Sequence, residues 1–196
     1  MTLNDLSSPL SLLETRRSGR PREMVAPGPS EAELKRILTI AARTPDHGKL
    51  TPWRFITVAP GQRDALAELL ALALPECVAE AGPPHLHKAR EFAHQAPTLV
   101  VLVSAPVPDH KIPLWEQQLS VGAAGMNLLS AAHALGYVGG WITGWAAYSE
   151  RVRAAFCAPR ERIAGFMFLG SLGAEVQDRP RPALGAVARA WVPPGS

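Results

Sequence analysis

The run Thr98-Leu99-Val100-Val101-Leu102-Val103 constrains the fold most strongly, because large aliphatic side chains occupy consecutive positions. Successive side chains of a β-strand point to opposite faces of its sheet. A strand that is apolar throughout is therefore covered on both faces. The whole apolar stretch, residues 98–105, is far shorter than the ~20 residues of a membrane-spanning helix. The sequence thus predicts a central buried strand, and we expect no membrane partner.

Helices and strands alternate along the chain without a regular strand–helix–strand rhythm. Apolar spacing and capping signals predict helices over residues 10–17, 31–44, 62–74 and 114–135, another ending near 94, and one following Ser149. Strands are predicted over 53–58, 98–103, 138–142 and 165–172. This order favours an α+β fold with a central mixed, mostly antiparallel sheet flanked by helices. We expect one domain over 1–196, with a core at about 10–173 and an extended arm at 174–196.

The overall charge is mildly basic, with 20 Lys and Arg residues against 17 Asp and Glu. A net charge of +3 does not indicate a nucleic-acid-binding protein. The arginines are clustered instead, at Arg16, Arg17, Arg20 and Arg22 near the start and at Arg179 and Arg181 near the end. The first residues are polar and do not form a signal peptide, so we expect a cytoplasmic protein.

Two polar segments carry candidate anion-binding residues. Arg16, Arg17 and Ser18 follow the first predicted helix, and the Arg guanidinium presents paired N–H donors that fit phosphate oxygens. The alternative is a solvated helix end, because cations also favour the C-terminus of a helix. His47 lies between two prolines in the loop after Arg43, where a binding role and an ordinary surface role are both open.

A glycine-rich turn at residues 139–145 is a third candidate. Its sequence, Gly-Gly-Trp-Ile-Thr-Gly-Trp, follows a predicted strand. Glycine lets backbone N–H groups approach a ligand closely. The alternative is a tight turn flanked by core aromatic residues. The glycine spacing differs from the dinucleotide-binding fingerprint, so a Rossmann nicotinamide site is excluded.

Other catalytic patterns are missing from the sequence. His85, His87 and His94 have no carboxylate at ligand spacing, so we predict no metal site. No serine has a nucleophile elbow around it. If the protein is an enzyme, a bound cofactor is therefore expected to supply its chemistry.

The order of these motifs resembles that of the FMN-dependent nitroreductases. The chain reads Arg-Arg-Ser-x-Arg from Arg16, then a capped helix, then Arg-x-Pro-Asp-His-x-x-x-x-Pro-Trp-x-Phe from Arg43. Trp115-Glu116-Gln117 then opens a helix rich in small residues. The segment 131–136 runs into Gly139-Gly140-Trp141, and 165–170 is similar to the family's last core strand. The resemblance spans about residues 10–173 and is closest to the short, single-domain YdjA-type branch.

This resemblance implies a homodimer that binds flavin mononucleotide (FMN) at the subunit interface. Arg16, Arg17 and Ser18 would hold the phosphate and ribityl end, and Arg20 could reach the N1/O2 side of the ring. Arg43 and His47 would come from the loop that faces the partner subunit.

The resemblance also assigns residues to the ring and to the electron donor. Trp141, Ile142 and Thr143 would line the isoalloxazine, with Gly144 near N5. The segment matched to the site of NADH or NADPH comprises Ala131, Ala132, His133, Ala134, Leu135 and Gly136. Arg179 and Arg181 resemble C-terminal basic residues that many members place on the phosphate.

The implied activity is hydride transfer from NAD(P)H through FMN to a nitroaromatic, quinone or similar electron-poor acceptor, by a ping-pong mechanism. The alternatives are a flavin-binding module that stores or senses without turnover, and another flavin reaction such as dehalogenation or flavin breakdown. The chain departs from the branch at Ile142, where a basic residue is usual. It departs from the wider family at Asp46, His47 and Lys49, which replace a Ser-x-x-Asn-like pattern.

Overall fold

The computed structural model describes residues 2–194, which form eight helices and five strands. The helices are α1 (Pro9–Thr15), α2 (Glu31–Ala41), α3 (Arg63–Cys77), α4 (Pro83–His94), α5 (Leu114–Ala134), α6 (Trp145–Tyr148), α7 (Glu150–Phe156) and α8 (Leu184–Val187). The strands are β1 (Met24–Val25), β2 (Trp53–Val58), β3 (Thr98–Ser104), β4 (Val138–Ile142) and β5 (Arg162–Leu172). Single 3₁₀ turns occupy Pro21–Glu23, His47–Lys49 and Pro60–Gln62.

The strands form one sheet, and every pairing among the described residues is antiparallel. β3 lies between β2 and β5, and the other edge of β5 pairs with β4 and then with β1. Val100 is opposite Met167, and Gly140 is opposite Phe168. The long strand β5 therefore joins the centre of the sheet to the edge that carries β4.

Alternate residues of the central strands enter two hydrophobic cores. Val101 and Phe168 pack in the core that includes residues of α3 and α4. Val100 and Met167 pack in the core that includes residues of α2 and α5. All five positions from 99 to 103 are at most 1% exposed. The predicted doubly covered central strand is confirmed.

Local signals set the starts of the first two helices. The Ser8 hydroxyl accepts a hydrogen bond from the Ser11 N–H, and Pro9 occupies the first turn. Ser30 and Glu33 form a reciprocal capping box. The predicted end at residue 74 is wrong, however, because α3 continues through Pro75. An exposed proline in the last turn is tolerated here beside a well-buried apolar face.

The small residues of α5 have two different surroundings. A Cβ at Gly125 would lie 2.5 Å from the Trp141 ring and 2.9 Å from Leu102, so the absence of a side chain here lets these core residues pack against the helix. A Cβ at Gly122 would meet nothing within 4 Å. The helix thus has a tightly packed core side at Gly125 and an open position at Gly122.

The predicted α+β class is confirmed. The sheet, predicted as mixed and mostly antiparallel, is antiparallel in every pairing of the described residues. Within residues 2–194, each helix is too short or too polar to span a lipid bilayer. Beyond β5 the described chain is largely exposed and contains only the short helix α8. The division into a core at 10–173 and an arm at 174–196 stays a prediction, and Met1, Gly195 and Ser196 lie outside the described residues.

Candidate functional site

Residues 16–20, the basic loop, follow α1 and are held by their own chain. The Arg17 N–H donates to the Asn4 side-chain oxygen at 2.7 Å. The Arg16 guanidinium donates to the Ser18 hydroxyl at 3.2 Å. The Arg17 carbonyl oxygen lies 3.2 Å from Nε2 of His133, near the end of α5. Arg16, Arg17 and Ser18 are each half-buried, so the basic loop is a built part of the domain.

The two glycines of β4 leave room for the basic loop and for α5 to pack closely against this edge of the sheet. A Cβ at Gly140 would lie 2.9 Å from the Gly19 carbonyl oxygen. A Cβ at Gly139 would lie 2.5 Å from the Leu129 side chain. Both glycines are buried against their own chain. Their close approach therefore serves internal packing and places Arg16–Ser18 beside β4.

The C-terminal segment brings two further arginines to the basic loop. Arg17 Nε donates to the Gln177 carbonyl oxygen at 2.9 Å. Burial lowers the pKa of the Arg16 guanidinium, and the charges of Arg181, Arg17 and Arg179 lower it further. We call Arg16, Arg17, Arg179 and Arg181 the arginine cluster. A half-buried guanidinium with three other arginines around it forms a site that favours an anion.

Carboxylates lie near this cluster, since Glu23, Glu175 and Asp178 line the adjoining cleft together with Arg17. Among the described residues, no carboxylate lies within 4.0 Å of the guanidinium of Arg16 or Arg17. Arg181 has Asp178 at 3.4 Å, with both side chains about half exposed. The adjoining cleft of about 310 Å³ is lined by Arg17, Ser18, Arg20, Glu23 and residues 174–178. Arg20 is already paired there, with Glu23 at 3.0 Å.

Residues 43–52, the His47 loop, are anchored along another part of α5. The Ser120 hydroxyl donates to the Pro45 carbonyl oxygen at 2.6 Å, and the Asn127 amide donates to the Thr44 hydroxyl at 2.8 Å. His47 Nδ1 lies 2.7 Å from a carboxylate oxygen of Glu116. Arg43 and His47 are both exposed. The loop is therefore fixed at its backbone while these side chains remain accessible.

The basic loop and His47 are tied to opposite ends of α5. His47 contacts Glu116 in the first turn, and Arg17 contacts His133 in the last turn. At the helical rise of 1.5 Å per residue these two anchors are about 25 Å apart along the axis. Within one protomer, His47 and the basic loop do not come together.

The predicted ring-lining residues differ in accessibility. The Trp141 indole N–H donates to the Ala164 carbonyl oxygen at 3.0 Å, and its ring packs between Gly125 and Gly165. Ile142 is half-buried against the core. Thr143 and Gly144 are exposed, and Gly144 has φ 71° and ψ −169°, a conformation that requires glycine. The exposed part of the turn is thus Thr143–Gly144.

The segment predicted to meet NADH or NADPH is mostly internal. Ala131, Ala132 and His133 are buried, Leu135 is half-buried, and Ala134 and Gly136 are exposed. Burial lowers the pKa of the His133 imidazole, two backbone contacts raise it, and Arg16 lowers it. The assignment of this segment stays a prediction, because its side chains contact the protein's own chain.

Sequence reasoning missed the supports of these loops. The sequence motif placed Glu116 only at the start of a helix, whereas its carboxylate contacts His47, and no pattern marked Asn4, Ser120 or Asn127. Glu116 and His47 are 69 positions apart, and a single sequence carries no signal for such a pair. Among residues 2–194, no group of three or more His, Cys, Asp or Glu side chains could hold a metal ion.

Comparison with known proteins identifies the family. The Nitroreductase family profile matches residues 13–171. The "Putative NAD(P)H nitroreductase" of Haemophilus influenzae is 37% identical over 87% of this chain and 91% of its own length. YdjA of Escherichia coli K12, which has the same descriptive name, is 34% identical over 83% of this chain and 87% of its own. The chain therefore belongs to the nitroreductase family, and it is an oxidoreductase. The predicted resemblance is confirmed.

Solved structures support the fold. A nitroreductase-like family protein from Bacillus cereus has a TM-score of 0.83 at 18% identity, covering 97% of this chain and 98% of its own. A nitroreductase with bound FMN from Bacteroides fragilis has a TM-score of 0.70 at 22% identity, covering 94% and 100%. The nitroreductase-like architecture is confirmed.

Proposed function

We propose that the protein is a homodimeric FMN-dependent oxidoreductase that passes a hydride from NADH or NADPH to a nitroaromatic, quinone or similar electron-poor acceptor. The observation that carries the proposal is the arginine cluster, whose four cations lie close to one another, while no carboxylate among the described residues lies within 4.0 Å of the guanidinium of Arg16 or Arg17. The similar Bacteroides fragilis structure contains FMN, and the two curated relatives are named for NAD(P)H. These names agree with the chemistry of the cluster.

The arginine cluster fits a phosphate monoester. Phosphate carries close to two negative charges at neutral pH and offers three acceptor oxygens. The guanidinium groups of Arg16 and Arg17 would donate to those oxygens, with the Ser18 hydroxyl beside them. Arg179 and Arg181 would neutralise the remaining charge from the C-terminal segment. An anion would also offset the burial and the neighbouring positive charges that lower the pKa of Arg16.

The separation of the two loops supports a site shared between subunits. Arg43 and His47 are exposed, and the His47 anchor lies about 25 Å along α5 from the anchor of the basic loop. We therefore assign Arg43 and His47 to the cofactor bound by the partner subunit. Gly122, which is open in the middle of α5, suits close contact between two helices at a subunit interface.

The bound flavin supplies hydride acceptance and donation, and the protein supplies binding, orientation and charge. Arg20 would face the N1/O2 side, where positive charge favours the reduced form. Trp141 and Ile142 support the turn from the core side, and the exposed Thr143 and Gly144 would meet the ring. Ala134 and Gly136 are the exposed part of the segment assigned to NADH or NADPH.

Ping-pong exchange follows from one shared position for donor and acceptor. In this proposal NAD(P)H leaves before the acceptor enters, so the protein must present an open, weakly selective surface beside the flavin. Ile142 is half-buried against the core, so it provides no cation to that surface. The acceptor is therefore held by stacking and apolar contact rather than by an ion pair.

A visible absorption spectrum of the purified protein tests this function. We expect a yellow protein, or a colourless one that takes up added FMN. Stopped-flow mixing with NADH and then NADPH should bleach the bound flavin, and a nitroaromatic or quinone should restore the colour. A protein that binds no FMN would defeat the proposal. A protein whose bound FMN neither nucleotide reduces would instead be a storage or sensing module.

A further inference from the structure

His133 joins α5 directly to the basic loop. Its side chain is only 1% exposed. Nδ1 lies 2.7 Å from the Leu129 carbonyl oxygen within the helix, and Nε2 lies 3.2 Å from the Arg17 carbonyl oxygen. The imidazole edge packs beside Gly139 of β4, where a Cβ would lie 3.8 Å from Cε1 of His133. The buried imidazole thus connects α5 to the basic loop, which carries Arg16 and Arg17.

We infer that His133 is a positioning residue for phosphate binding, acting on the arginine cluster through the Arg17 carbonyl oxygen. The inference rests on the proposed function, because it names how that site is held in place. A ring that is almost fully buried and bonded to its own chain on both nitrogens has no atom free for a soluble ligand. Its effect on a cofactor therefore passes through the loop backbone that it contacts.

The number of hydrogen bonds that His133 donates depends on whether its ring is protonated. A neutral imidazole has one N–H donor, and an imidazolium has two. Both ring nitrogens face carbonyl oxygens, which only accept hydrogen bonds. A neutral ring therefore satisfies one carbonyl and directs a lone pair at the other, whereas the protonated ring donates to both.

Phosphate binding should favour the protonated ring. The charged group that acts on His133 from the basic loop is Arg16, and the β4 residue packed against the ring is an uncharged glycine. Burial and Arg16 both oppose a positive charge on the imidazole. A phosphate on Arg16 cancels that repulsion, so FMN binding should be accompanied by proton uptake at His133.

Three variants test this role in the full-length protein. His133→Leu removes both ring-nitrogen contacts, His133→Gln keeps an amide donor that can reach a carbonyl, and His94→Gln alters an exposed histidine on α4 as the control. We expect His133→Leu to weaken FMN binding about tenfold or more, the effect of one lost hydrogen bond. His133→Gln should bind FMN within about threefold of the wild type, and the control should be unchanged.

Two readouts separate positioning from a general loss of structure. Riboflavin lacks the phosphate, so its affinity should fall much less than that of FMN in His133→Leu. Calorimetry in two buffers of different ionisation enthalpy measures the protons exchanged on FMN binding. Because burial holds the pKa of the His133 imidazole below its ordinary value, the wild type should take up more protons below about pH 6.5 than His133→Gln, which has no titrating ring at this position.

The outcomes are distinct. Equal losses of FMN and riboflavin affinity, or equal proton exchange by wild type and His133→Gln, would overturn the role of His133 and leave the proposed function intact. If His133→Leu does not fold, the comparison between wild type and His133→Gln still decides. A wild-type protein that binds neither flavin would overturn the proposed function and this inference together.

Discussion

The basic loop and the His47 loop differ in what completes them. The basic loop is half-buried, bonded to Asn4 and His133, and accompanied by arginines from its own C-terminal segment. In the His47 loop, Arg43 and His47 are exposed, and His47 contacts a carboxylate at the far end of α5. One protomer thus groups four arginines around the basic loop. It exposes Arg43 and His47 near the other end of α5, away from that cluster. In the proposed dimer, Arg43 and His47 of one protomer would complete the flavin site of the other.

Mixed dimers give the largest expected effect and test that comparison directly. We would co-express an Arg16→Glu chain and a His47→Glu chain with different tags and purify the mixed dimer. If His47 serves the partner, one of the two sites retains both wild-type residues, and about one FMN should bind per mixed dimer. Each parental homodimer should bind little.

The contrary result is equally clear. If Arg16 and His47 act within one chain, each site of the mixed dimer carries one substitution. The mixed dimer would then bind FMN no better than the two parental homodimers do. Flavin absorbance per dimer after gel filtration measures the difference.

Arg16→Ala should weaken FMN binding by about 1.5–3 kcal/mol, because a charge-assisted contact with phosphate is lost. Titration with FMN, followed by flavin fluorescence, measures this change. Arg90→Ala is the matched control, since Arg90 is an exposed arginine of α4 that pairs with Glu68 of α3. Unchanged FMN affinity in Arg16→Ala would move the phosphate site away from the basic loop.

Gly140→Ala should destabilise the protein by about 1–3 kcal/mol, since its Cβ would press on the Gly19 carbonyl oxygen and force a backbone shift. Chemical denaturation measures the free energy of unfolding. Gly61→Ala is the control, because a Cβ there meets nothing within 4 Å. Equal stability of the two variants would show that β4 and the basic loop are not tightly packed.

Glu116→Gln should have the smallest effect, on the order of 0–1 kcal/mol in FMN binding, because the contact with His47 is solvent-exposed. The variant keeps a hydrogen-bonding side chain and removes the charge. A loss as large as that of Arg16→Ala would show that Glu116 orients His47 far more strongly than an exposed pair normally does.

The fold was largely predictable because its signals are local. The bounds predicted for β2 and β4, 53–58 and 138–142, are those observed. The continuous apolar run of β3 required cover on both faces, and the two cores provide it. The end of α3 was mispredicted because proline acts as a local stop signal, whereas tertiary packing carries the helix through Pro75.

The candidate site was predictable only in part. Arg16, Arg17 and Ser18 do meet beside β4, and Arg179 and Arg181 join them in space. The resemblance could suggest those positions but not their surroundings. Trp141 looked available to a ring, yet its indole N–H is bonded to Ala164 and its face is packed on glycines. Likewise, the residues next to His133 in the sequence carry no signal that it is buried against the basic loop, because Arg17 is 116 positions away.

The sequence by itself determined the order of elements, the central strand and the composition of the basic loop. These features depend on periodicity, caps and charge, which act over a few neighbouring residues. The tertiary structure alone decided which of those residues are free. It placed Arg17 on His133 and His47 on Glu116, at the two ends of one helix. Contacts between residues so far apart depend on how the rigid elements pack, and that packing is a property of the whole chain.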